Sequence, residues 1–462
     1  MGSLLVLYFH RLDNYLITMN QDSQKPVVTR MAPSPTGRFH VGGIRTAFYS
    51  YAFARKHGGK FILRIEDTDK ERSTPEFEKE IYEAFAWMDM EYDEVYLQSE
   101  HLGRHQETIG QLIASGAAYE GEEAKDGNGK VIRFKNPNTR ITFQDMILGE
   151  VSFDTTDLGD FVIARNIESP LYHLAVVVDD HDEGVTHVIR AQEHLANTPR
   201  QILILEALGF ERPIYAHVPF ILGPDGKKKL SKRDGDVAIM DYKEKGYLPD
   251  AIMNFLAFIG WNPGGEDEVF TKAELMELFD LEKVQKGPAG YNLDKLNWLN
   301  KEHIKKLPRE EQQAAILPYM QSIEGFDADV FDRAFDTIME RLSVWSDIET
   351  MKVEGEIQYY FSPQPYEAEK AIWKKSDKEH AIKHLSHAAS HFEDYQGEWS
   401  ADALKESIWE YAEEQGKGDV LWPLRYSLSG RDRSPDPFSL LSILGKESSL
   451  ERIKTAIQLL ES

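Results

Sequence analysis

The first hundred residues alternate short apolar runs with stretches of helical periodicity. Residues 27–32 and 61–65 are apolar runs of strand length, whereas residues 42–57 and 75–90 carry apolar side chains at helical spacing. A turn with glycines separates the first strand from the first helix. Strand–helix–strand–helix order with such a turn predicts an α/β fold with a Rossmann-like parallel sheet.

The pattern changes between residues 115 and 180, where short strand-like segments replace the longer elements. These segments are 131–134, 151–153 and 161–164. We interpret the stretch as an α+β insertion into the parallel-sheet domain. Alternation of helix and sheet resumes near residue 198, and Thr198 is expected to cap a helix that begins at Pro199.

Strand signals fade after Asn300, and the remaining pattern predicts an all-α C-terminal region. Proline and glycine are expected to break its helices at Pro308, Pro318, Gly355, Pro363, Gly397 and Gly430. Exposed aromatic residues there, such as Trp422 and Tyr426, could stack on nucleic-acid bases, although core packing is the commoner role.

Composition narrows the class of protein. A chain of 462 residues is too long for one core, and no apolar run reaches the ~20 residues that span a bilayer. The sequence contains no cysteine, which excludes disulfides, thiolate nucleophiles and cysteine-based metal sites. We therefore expect a cytoplasmic protein without membrane contact. Residues 1–24 are expected to form a flexible N-terminal extension, with Met19 as a plausible true start.

The net charge of −25 argues against a generic nucleic-acid binder, which usually presents a basic face. Any contact with a nucleic acid must therefore come from local basic patches on an acidic body. Overall charge does not identify the partner.

One candidate phosphate site follows the first strand. The segment from Pro33 to Gly43 ends in His40-Val41-Gly42-Gly43 at the predicted start of a helix. A glycine pair there lets a phosphate approach the backbone, and the helix N-terminus supplies unpaired N–H groups. The segment is neither a Walker loop nor a dinucleotide fingerprint. Taken alone, it is more often a tight turn with a packed histidine.

A second candidate lies nearly two hundred residues later. Five cations occur between Lys227 and Arg233, behind the turn Gly223-Pro224-Asp225-Gly226. A flexible basic loop suits the charge that develops on phosphates in a transition state. A lone lysine run is usually a solvated loop. The glycine-rich segment and the basic segment together favour a site that contacts the phosphates of a nucleotide from two sides.

Together the motifs resemble a known family. His40-Val41-Gly42-Gly43 is similar to the "HIGH" signature of class I aminoacyl-tRNA synthetases, and Lys229-Leu230-Ser231-Lys232-Arg233 to their "KMSKS" loop. Further segments resemble bacterial-type glutamyl-tRNA synthetase from about Val27 to Ile304. These are residues 30–37, 63–69, 177–180, 186–190 and 193–201.

The resemblance implies roles for individual residues. It implies that His40, Gly42 and Gly43 hold ATP, and that Lys229, Ser231 and Lys232 close over its phosphates. It also implies a glutamate site formed by Arg30, Ser34, Glu66, Tyr172 and Arg190. Two arginines suit a dicarboxylate and Glu66 suits an ammonium group; without the motifs, ordinary ion pairing would be the better interpretation of the arginines.

The implied reaction is ATP-dependent formation of glutamyl-adenylate, followed by transfer of glutamate to the 3′-terminal adenosine of tRNA(Glu), possibly also of tRNA(Gln). Mg²⁺ would accompany ATP as part of the substrate. L-Glutamate and tRNA are the implied partners of a monomer. Catalysis would rest on alignment and charge stabilisation, because no enzyme nucleophile is needed.

The resemblance also implies a division into segments. They are a flexible extension (1–24), two halves of the catalytic domain (25–114 and 194–245), a shortened acceptor-stem insertion (115–193), a stem-contact helical subdomain (246–310) and an anticodon-binding domain (311–462).

The chain departs from the family pattern in two places. Between Ala118 and Val131 the chain has only residues 119–130, whereas typical family members carry several dozen more residues there, sometimes with zinc-binding cysteines. Zinc is therefore not expected. Gln192-Glu193 replaces the usual Glu-Asp. The acidic run Asp179-Asp180-His181-Asp182-Glu183 is expected on a solvent-facing loop rather than in a metal site. His101, His105, His173 and His187 are expected to be structural or surface residues.

Two other functions remain open at this point. One is a glutamyl transferase that acts on a modified tRNA base, which the long helical region after Asn300 disfavours. The other is a catalytically inactive, synthetase-like tRNA-binding protein, which the intact His40, Gly42, Lys229 and Lys232 disfavour.

Overall fold

The computed structural model describes residues 26–122, 129–230, 238–374 and 376–462. Within them the chain forms two compact units, one ending at His303 and the other beginning at Ile304. The described helices include none that is long and apolar enough to cross a membrane. The expected extension over residues 1–24 and Met19 lie outside the described residues.

The first unit is built around parallel strands joined by helices, as the sequence predicts. Its first half contains β1 (Val28–Met31), α1 (Val41–Lys56), β2 (Lys60–Ile65), α2 (Pro75–Trp87), β3 (Glu94–Leu97) and α3 (Leu102–Ala114). Strands β1, β2 and β3 pair in parallel in that order. Each boundary lies within three residues of the predicted one where a prediction was made.

The predicted insertion contains antiparallel strands. They are β4 (Ala118–Glu122), β5 (Lys130–Phe134), β6 (Arg140–Asp145), β7 (Gly149–Asp154), β8 (Phe161–Asn166) and β9 (Ser169–Pro170). Strands β4, β5, β8 and β9 form one sheet, whereas the β6–β7 hairpin joins a different sheet. That hairpin therefore links the insertion to the catalytic core.

The second half of the parallel arrangement follows strand β9 and begins within the segment 115–193 that was predicted as the insertion. It contains α4 (Tyr172–Asp182), β10 (His187–Ala191), α5 (Thr198–Leu208), β11 (Ile214–Val218) and β12 (Ile221–Leu222). Strands β10 and β11 pair in parallel, with Arg190 opposite His217, and Tyr215 of β11 pairs with Asp145 of β6. A hydrogen bond of 3.0 Å from the Thr186 amide to the Val28 carbonyl connects β10 to β1.

Apolar side chains from both sheets and the flanking helices form one continuous core. Among the fully buried are Ile62, Leu112, Ile163, Leu174, Val178 and Ile202. Burial on both faces explains why the parallel strands read as continuous apolar runs in the sequence. The core fixes the strand ends at which the candidate site lies.

Helices complete the first unit and make up the second. The remaining elements are α6 (Ile239–Glu244), α7 (Pro249–Phe258), α8 (Lys272–Leu278), β13 (Ala289–Gly290), α9 (Leu293–Lys306), α10 (Arg309–Met320), α11 (Ala328–Met339), α12 (Asp347–Val353), α13 (Gln358–Phe361), α14 (Lys378–Asp394), α15 (Ala401–Gln415), α16 (Lys417–Ser429) and α17 (Pro437–Glu461). This confirms the predicted all-α C-terminal region.

Five of the six predicted breaks in this region separate helices, but the one at Pro318 is wrong. Pro318 lies inside α10, in its last turn, where it removes a single backbone hydrogen bond. Tyr426 is buried, and the Trp422 indole donates a 2.9 Å hydrogen bond to the Lys370 carbonyl. Both rings therefore contribute to packing within the second unit.

Candidate active site

A cleft of about 1270 Å³ opens at the carboxyl ends of β1, β2, β10 and β11. Ligands of parallel α/β sheets bind at this edge because the strand ends and the following turns converge there. The cleft brings together nine of the predicted site residues: Arg30, Ser34, His40, Gly42, Gly43, Glu66, Tyr172, Arg190 and Lys229. Ser231, Lys232 and Arg233 lie outside the described residues.

The glycine pair opens helix α1 at one end of the cleft. His40 is the N-cap residue, and its Nδ1 accepts a 3.3 Å hydrogen bond from the Gly43 amide. A Cβ atom at Gly43 would lie 2.5 Å from the Phe39 ring, and one at Gly42 would lie 3.0 Å from the His40 ring. A larger residue at Gly43 would therefore require the Phe39 ring to shift, whereas one at Gly42 would require the His40 ring to move by only a few tenths of an ångström.

Lys229 enters the cleft from a hydrogen-bonded turn. The Gly223 amide donates to the Lys228 carbonyl (2.8 Å), and the Asp225 carboxylate accepts from the amides of Lys227 and Lys228. The Lys229 ammonium forms an ion pair with Glu193. The described part of the predicted basic loop is a turn held by these short-range hydrogen bonds.

Arg30 lies at the other end of the cleft in a buried network of opposite charges. Asp180 Oδ1 accepts from Arg30 Nε at 2.9 Å and from Arg64 at 2.8 Å, and Glu183 contacts Arg64 at 3.0 Å. Burial by itself would raise the pKa of the Asp180 carboxyl, but the two arginines outweigh it and lower that pKa. Arg30 therefore already has a carboxylate partner.

The expectation of a solvent-facing acidic loop is wrong for Asp179, Asp180 and Glu183. Asp179 and Asp180 belong to helix α4 and are buried, and the Glu183 side chain, at the end of that helix, is 3% exposed. Asp179 accepts a 2.6 Å hydrogen bond from His105 and a 2.7 Å one from Gln98. The buried arginines and His105 require carboxylates within the protein, a demand that arises only when distant strands and helices meet.

Glu66 follows β2 and faces the cleft with little solvent contact. Burial raises the pKa of its carboxyl, an effect that Arg64 and Arg30 oppose. Its nearest ion-pair contact, to Arg64, is 3.4 Å long. A cationic group in the cleft would therefore gain a buried carboxylate that the protein neutralises only in part.

Arg190 differs from Arg30 because its hydrogen-bond partners are neutral. It is 6% exposed and donates from Nε to His217 (3.2 Å), from one NH₂ group to Gln201 (2.7 Å) and from the other to Thr198 (2.8 Å). Burial lowers the pKa of its guanidinium. Among the described residues none of the ion pairs involves Arg190, so its charge lacks a direct carboxylate contact.

Tyr172 completes this end of the cleft. Its hydroxyl lies 3.0 Å from His194 Nδ1. Burial, with Arg190 as a second cause, lowers the pKa of His194 to about 4, so this histidine is neutral at pH 7. Ser34 lines the same cleft and is exposed.

Sequence reasoning misplaced or missed several residues of this site. Thr198 was expected to cap a helix, but it is the first residue of α5, Asn197 is the N-cap, and the Thr198 hydroxyl holds Arg190 instead. Gln201 lies in the segment 193–201 that carries the family resemblance, but it was given no role at the site. Asp145 and His217 carried no local signal, and only the strand pairing of β6, β10 and β11 could have revealed them.

Metal-ligating side chains do not cluster in the parts of the chain that the structure describes: no group of three or more histidines, aspartates or glutamates there has metal-binding geometry. Of the histidines expected to be structural or surface residues, His105 is fully buried in its contact with Asp179.

The comparisons with known proteins agree with this architecture. Residues 26–127 and 121–298 match the family of class I tRNA synthetases for E and Q, catalytic domain, and residues 310–457 match an anticodon binding domain. A glutamate–tRNA ligase of Acidithiobacillus ferrooxidans is 38% identical over 93% of this chain and 99% of its own length. One from Nitrosospira multiformis is 37% identical over 93% and 98%, respectively.

A solved structure gives the same result. The glutamate–tRNA ligase of Elizabethkingia meningosepticum, crystallised in complex with its amino acid, is 31% identical, with a TM-score of 0.83 over 94% of this chain and 99% of its own. The chain therefore belongs to the class I aminoacyl-tRNA synthetases for glutamate and glutamine, in the family of bacterial-type glutamate–tRNA ligases. Membership of this class implies ATP as a substrate.

Proposed function

We propose that this chain activates L-glutamate with ATP and transfers it to the 3′-terminal adenosine of tRNA(Glu). The observation that carries the proposal is the cleft itself: a glycine-rich helix N-terminus lies at one end, and at the other lies a buried arginine whose hydrogen-bond partners among the described residues are neutral. One end suits phosphates and the other suits a carboxylate. The relatives named above support the same reaction.

ATP would bind at the end formed by His40, Gly42 and Gly43. The amide groups at the start of α1 would approach phosphate oxygens, which the positive end of the helix dipole favours. Lys229, with Ser231 and Lys232, would then close over the phosphates. Lys229 would have to exchange Glu193 for a phosphate, which lets nucleotide binding compete with that ion pair.

Glutamate would bind at the opposite end. Arg190 and Arg30 would face its carboxylates, Glu66 its ammonium group, and Ser34 and Tyr172 would complete the contacts. Glutamine would place an amide against an arginine, and leaving such a buried partner unsatisfied costs about 1–3 kcal/mol. The site would therefore favour glutamate.

The reaction needs no enzyme nucleophile. The substrate α-carboxylate attacks the α-phosphorus of ATP, pyrophosphate leaves, and a ribose hydroxyl of the tRNA then displaces AMP from the adenylate. Mg²⁺ would arrive with ATP, bound by phosphate oxygens. The protein contributes alignment and charge stabilisation.

The acceptor would be held by the shortened insertion (115–193) and the helical segment 246–310, and the anticodon by residues 311–462 of a monomer. These assignments follow the family resemblance. Specificity for tRNA(Glu) alone or for tRNA(Gln) as well depends on the last segment.

Pyrophosphate exchange tests the first step. We expect ATP–pyrophosphate exchange that depends on glutamate, measured with and without tRNA, and none with glutamine. Failure of exchange under both conditions would contradict the proposal and favour an inactive tRNA-binding protein. Exchange with glutamine instead would contradict the assignment of Arg30 and Arg190.

Charging assays test the second step. Transcripts of tRNA(Glu) and tRNA(Gln) and the native, modified tRNAs should be compared side by side, each with an intact and a periodate-oxidised 3′ end. We expect glutamylation of the intact tRNA(Glu), in a bond labile to mild base, and the tRNA(Gln) arm decides whether that tRNA is charged as well. Glutamylation that survives oxidation of the 3′ end would instead indicate transfer to a base.

A further inference from the structure

The orientation of Arg190 depends on the protonation form of His217. Arg190 Nε always carries a hydrogen, so the His217 Nε2 atom 3.2 Å away must accept it. The Thr198 hydroxyl also lies 3.1 Å from the same Nε2 atom and can donate to it. A neutral His217 with its proton on Nδ1 satisfies both contacts, whereas a proton on Nε2 would oppose the Arg190 Nε–H, which can only donate.

Asp145 selects that form of the imidazole. Its Oδ2 atom lies 2.6 Å from His217 Nδ1, which must then be the donor. The carboxylate is itself held by the amides of Ile147 and Leu148 (2.9 Å each) and of His217. Asp145 and His217 are both fully buried, so solvent does not compete for these bonds.

The charges of the three groups agree with this arrangement. Burial alone would raise the pKa of the Asp145 carboxyl, but hydrogen bonds from His217 and the backbone lower it. Burial lowers the pKa of His217, with Arg190 as a further cause, and together they outweigh Asp145. The three groups in contact are therefore the Asp145 carboxylate, the neutral His217 imidazole and the Arg190 guanidinium, in that order.

Arg30, in the same cleft, is held in a different way from Arg190. Arg30 donates directly to Asp180, so much of its charge is compensated within the protein. At Arg190 an imidazole separates the carboxylate from the guanidinium, and the other two partners, Thr198 and Gln201, are uncharged. The guanidinium is oriented on three sides while its charge remains available to a ligand.

We infer that Asp145 and His217 are positioning residues for substrate selection: they hold Arg190 toward the side-chain carboxylate of the amino acid without neutralising it. The inference rests on the proposed function. Thr198 and Gln201 are positioning residues as well, because a charged residue in either place would change how much positive charge Arg190 presents to the substrate.

The first test is Asp145→Asn in the full chain, assayed by pyrophosphate exchange with saturating tRNA. The asparagine amide can donate to Nδ1, which moves the histidine proton to Nε2 and opposes Arg190 Nε–H. We expect the glutamate KM to rise on the order of tenfold, equivalent to one lost hydrogen bond, while the ATP KM changes less than about threefold. An unchanged glutamate KM in a folded variant would overturn the inference.

The second test is Gln201→Glu, which places a carboxylate at the position of an amide that now contacts Arg190 at 2.7 Å. An internal carboxylate would neutralise the guanidinium and compete with the substrate. We expect a higher glutamate KM and weaker discrimination against glutamine, without loss of thermal stability. If selectivity for glutamate is retained in full, the neutral partners of Arg190 are only structural and the inference fails.

His105→Gln is the matched control, because the His105–Asp179 contact is also buried and 2.6 Å long but does not include Arg190. We expect it to lower stability with less than about threefold change in glutamate KM. A rise in glutamate KM equal to that of Asp145→Asn would overturn the inference.

Nitrogen NMR of ¹⁵N-histidine-labelled protein separates this inference from the proposed function. We expect a His217 signal with Nδ1 protonated in the wild type and with Nε2 protonated in Asp145→Asn. A wild-type His217 protonated on Nε2 overturns the inference whatever the activity. Absence of glutamate-dependent exchange in the wild type contradicts the proposed function, and with it the selection role, even where the tautomer is as expected.

Discussion

The two ends of the cleft are built in different ways. The end with His40, Gly42 and Gly43 consists of one short chain segment, whose amides and ring contacts lie within four residues of each other. The end with Arg30 and Arg190 depends on buried contacts between side chains 72 to 150 residues apart. A phosphate site built from one local segment can be recognised in the sequence, whereas a network of buried charges can be recognised only in the folded structure.

The amino-acid end should respond most strongly to substitution. Arg190→Gln removes a buried cation whose partners are neutral, so folding should be preserved while the receptor for a carboxylate is lost. Loss of one partner of a buried charge pair costs about 2–5 kcal/mol, which predicts a fall on the order of a thousandfold in kcat/KM for glutamate. Pyrophosphate exchange measures it.

Thermal unfolding of Arg190→Gln serves as the control. A melting temperature near the wild-type value would show that the loss is specific to the site. Activity within tenfold of wild type would contradict the assignment of Arg190 to the glutamate site.

At the nucleotide end, packing rather than charge should limit substitution. Gly43→Ala places a Cβ atom 2.5 Å from the Phe39 ring, and overpacking of this kind costs about 1–3 kcal/mol. Urea unfolding should show that loss, and the double variant Gly43→Ala/Phe39→Leu should recover part of it. If Gly43→Ala alone is as stable as wild type, Phe39 does not require the glycine.

The amino-acid end should also be the more acid-sensitive. Burial lowers the pKa of His194 to about 4, below its unfolded value near 6.5. The unfolded chain therefore binds more protons between these values, and the free energy of unfolding falls as pH decreases from about 6.5 to 4. The size of the effect is smaller than that of Gly43→Ala, because His194 is 34% exposed.

His194→Gln isolates this contribution. Urea unfolding at pH 7.5 and pH 5 should show a smaller decrease for the variant than for wild type. The comparison between variants is needed because Glu183, with a pKa raised by burial to about 7, changes stability in the opposite direction. An equal decrease in both proteins would exclude a role for His194.

The smallest effect is expected at the Lys229–Glu193 pair. Both side chains are about half exposed, so the pair contributes at most about 1 kcal/mol. Glu193→Gln should release Lys229 and lower the ATP KM less than about fivefold, with glutamate KM unchanged. A higher ATP KM would show that Glu193 assists the lysine rather than competing for it.

Much of the fold was predictable because its signals are local. Helix α1 was predicted from apolar spacing after a glycine turn, and the strands from continuous apolar runs. Two predictions failed for different reasons: Pro318 is tolerated because it lies in the last turn of α10, and Thr198 binds Arg190 rather than capping α5 because the tertiary structure brings these side chains together.

The sequence by itself determined the α/β and all-α regions, the glycine pair at a helix start and the basic turn, because short-range sterics and periodicity govern all of them. Only the tertiary structure decided which charges are compensated. Asp180 neutralises Arg30, while Asp145 acts on Arg190 through His217, because strand pairing places β6, β10 and β11 side by side. The state of a buried charge depends on its neighbours, and the carboxylates that decide it here lie far away along the chain: Asp180 is 150 residues from Arg30, and Asp145 is 72 residues from His217.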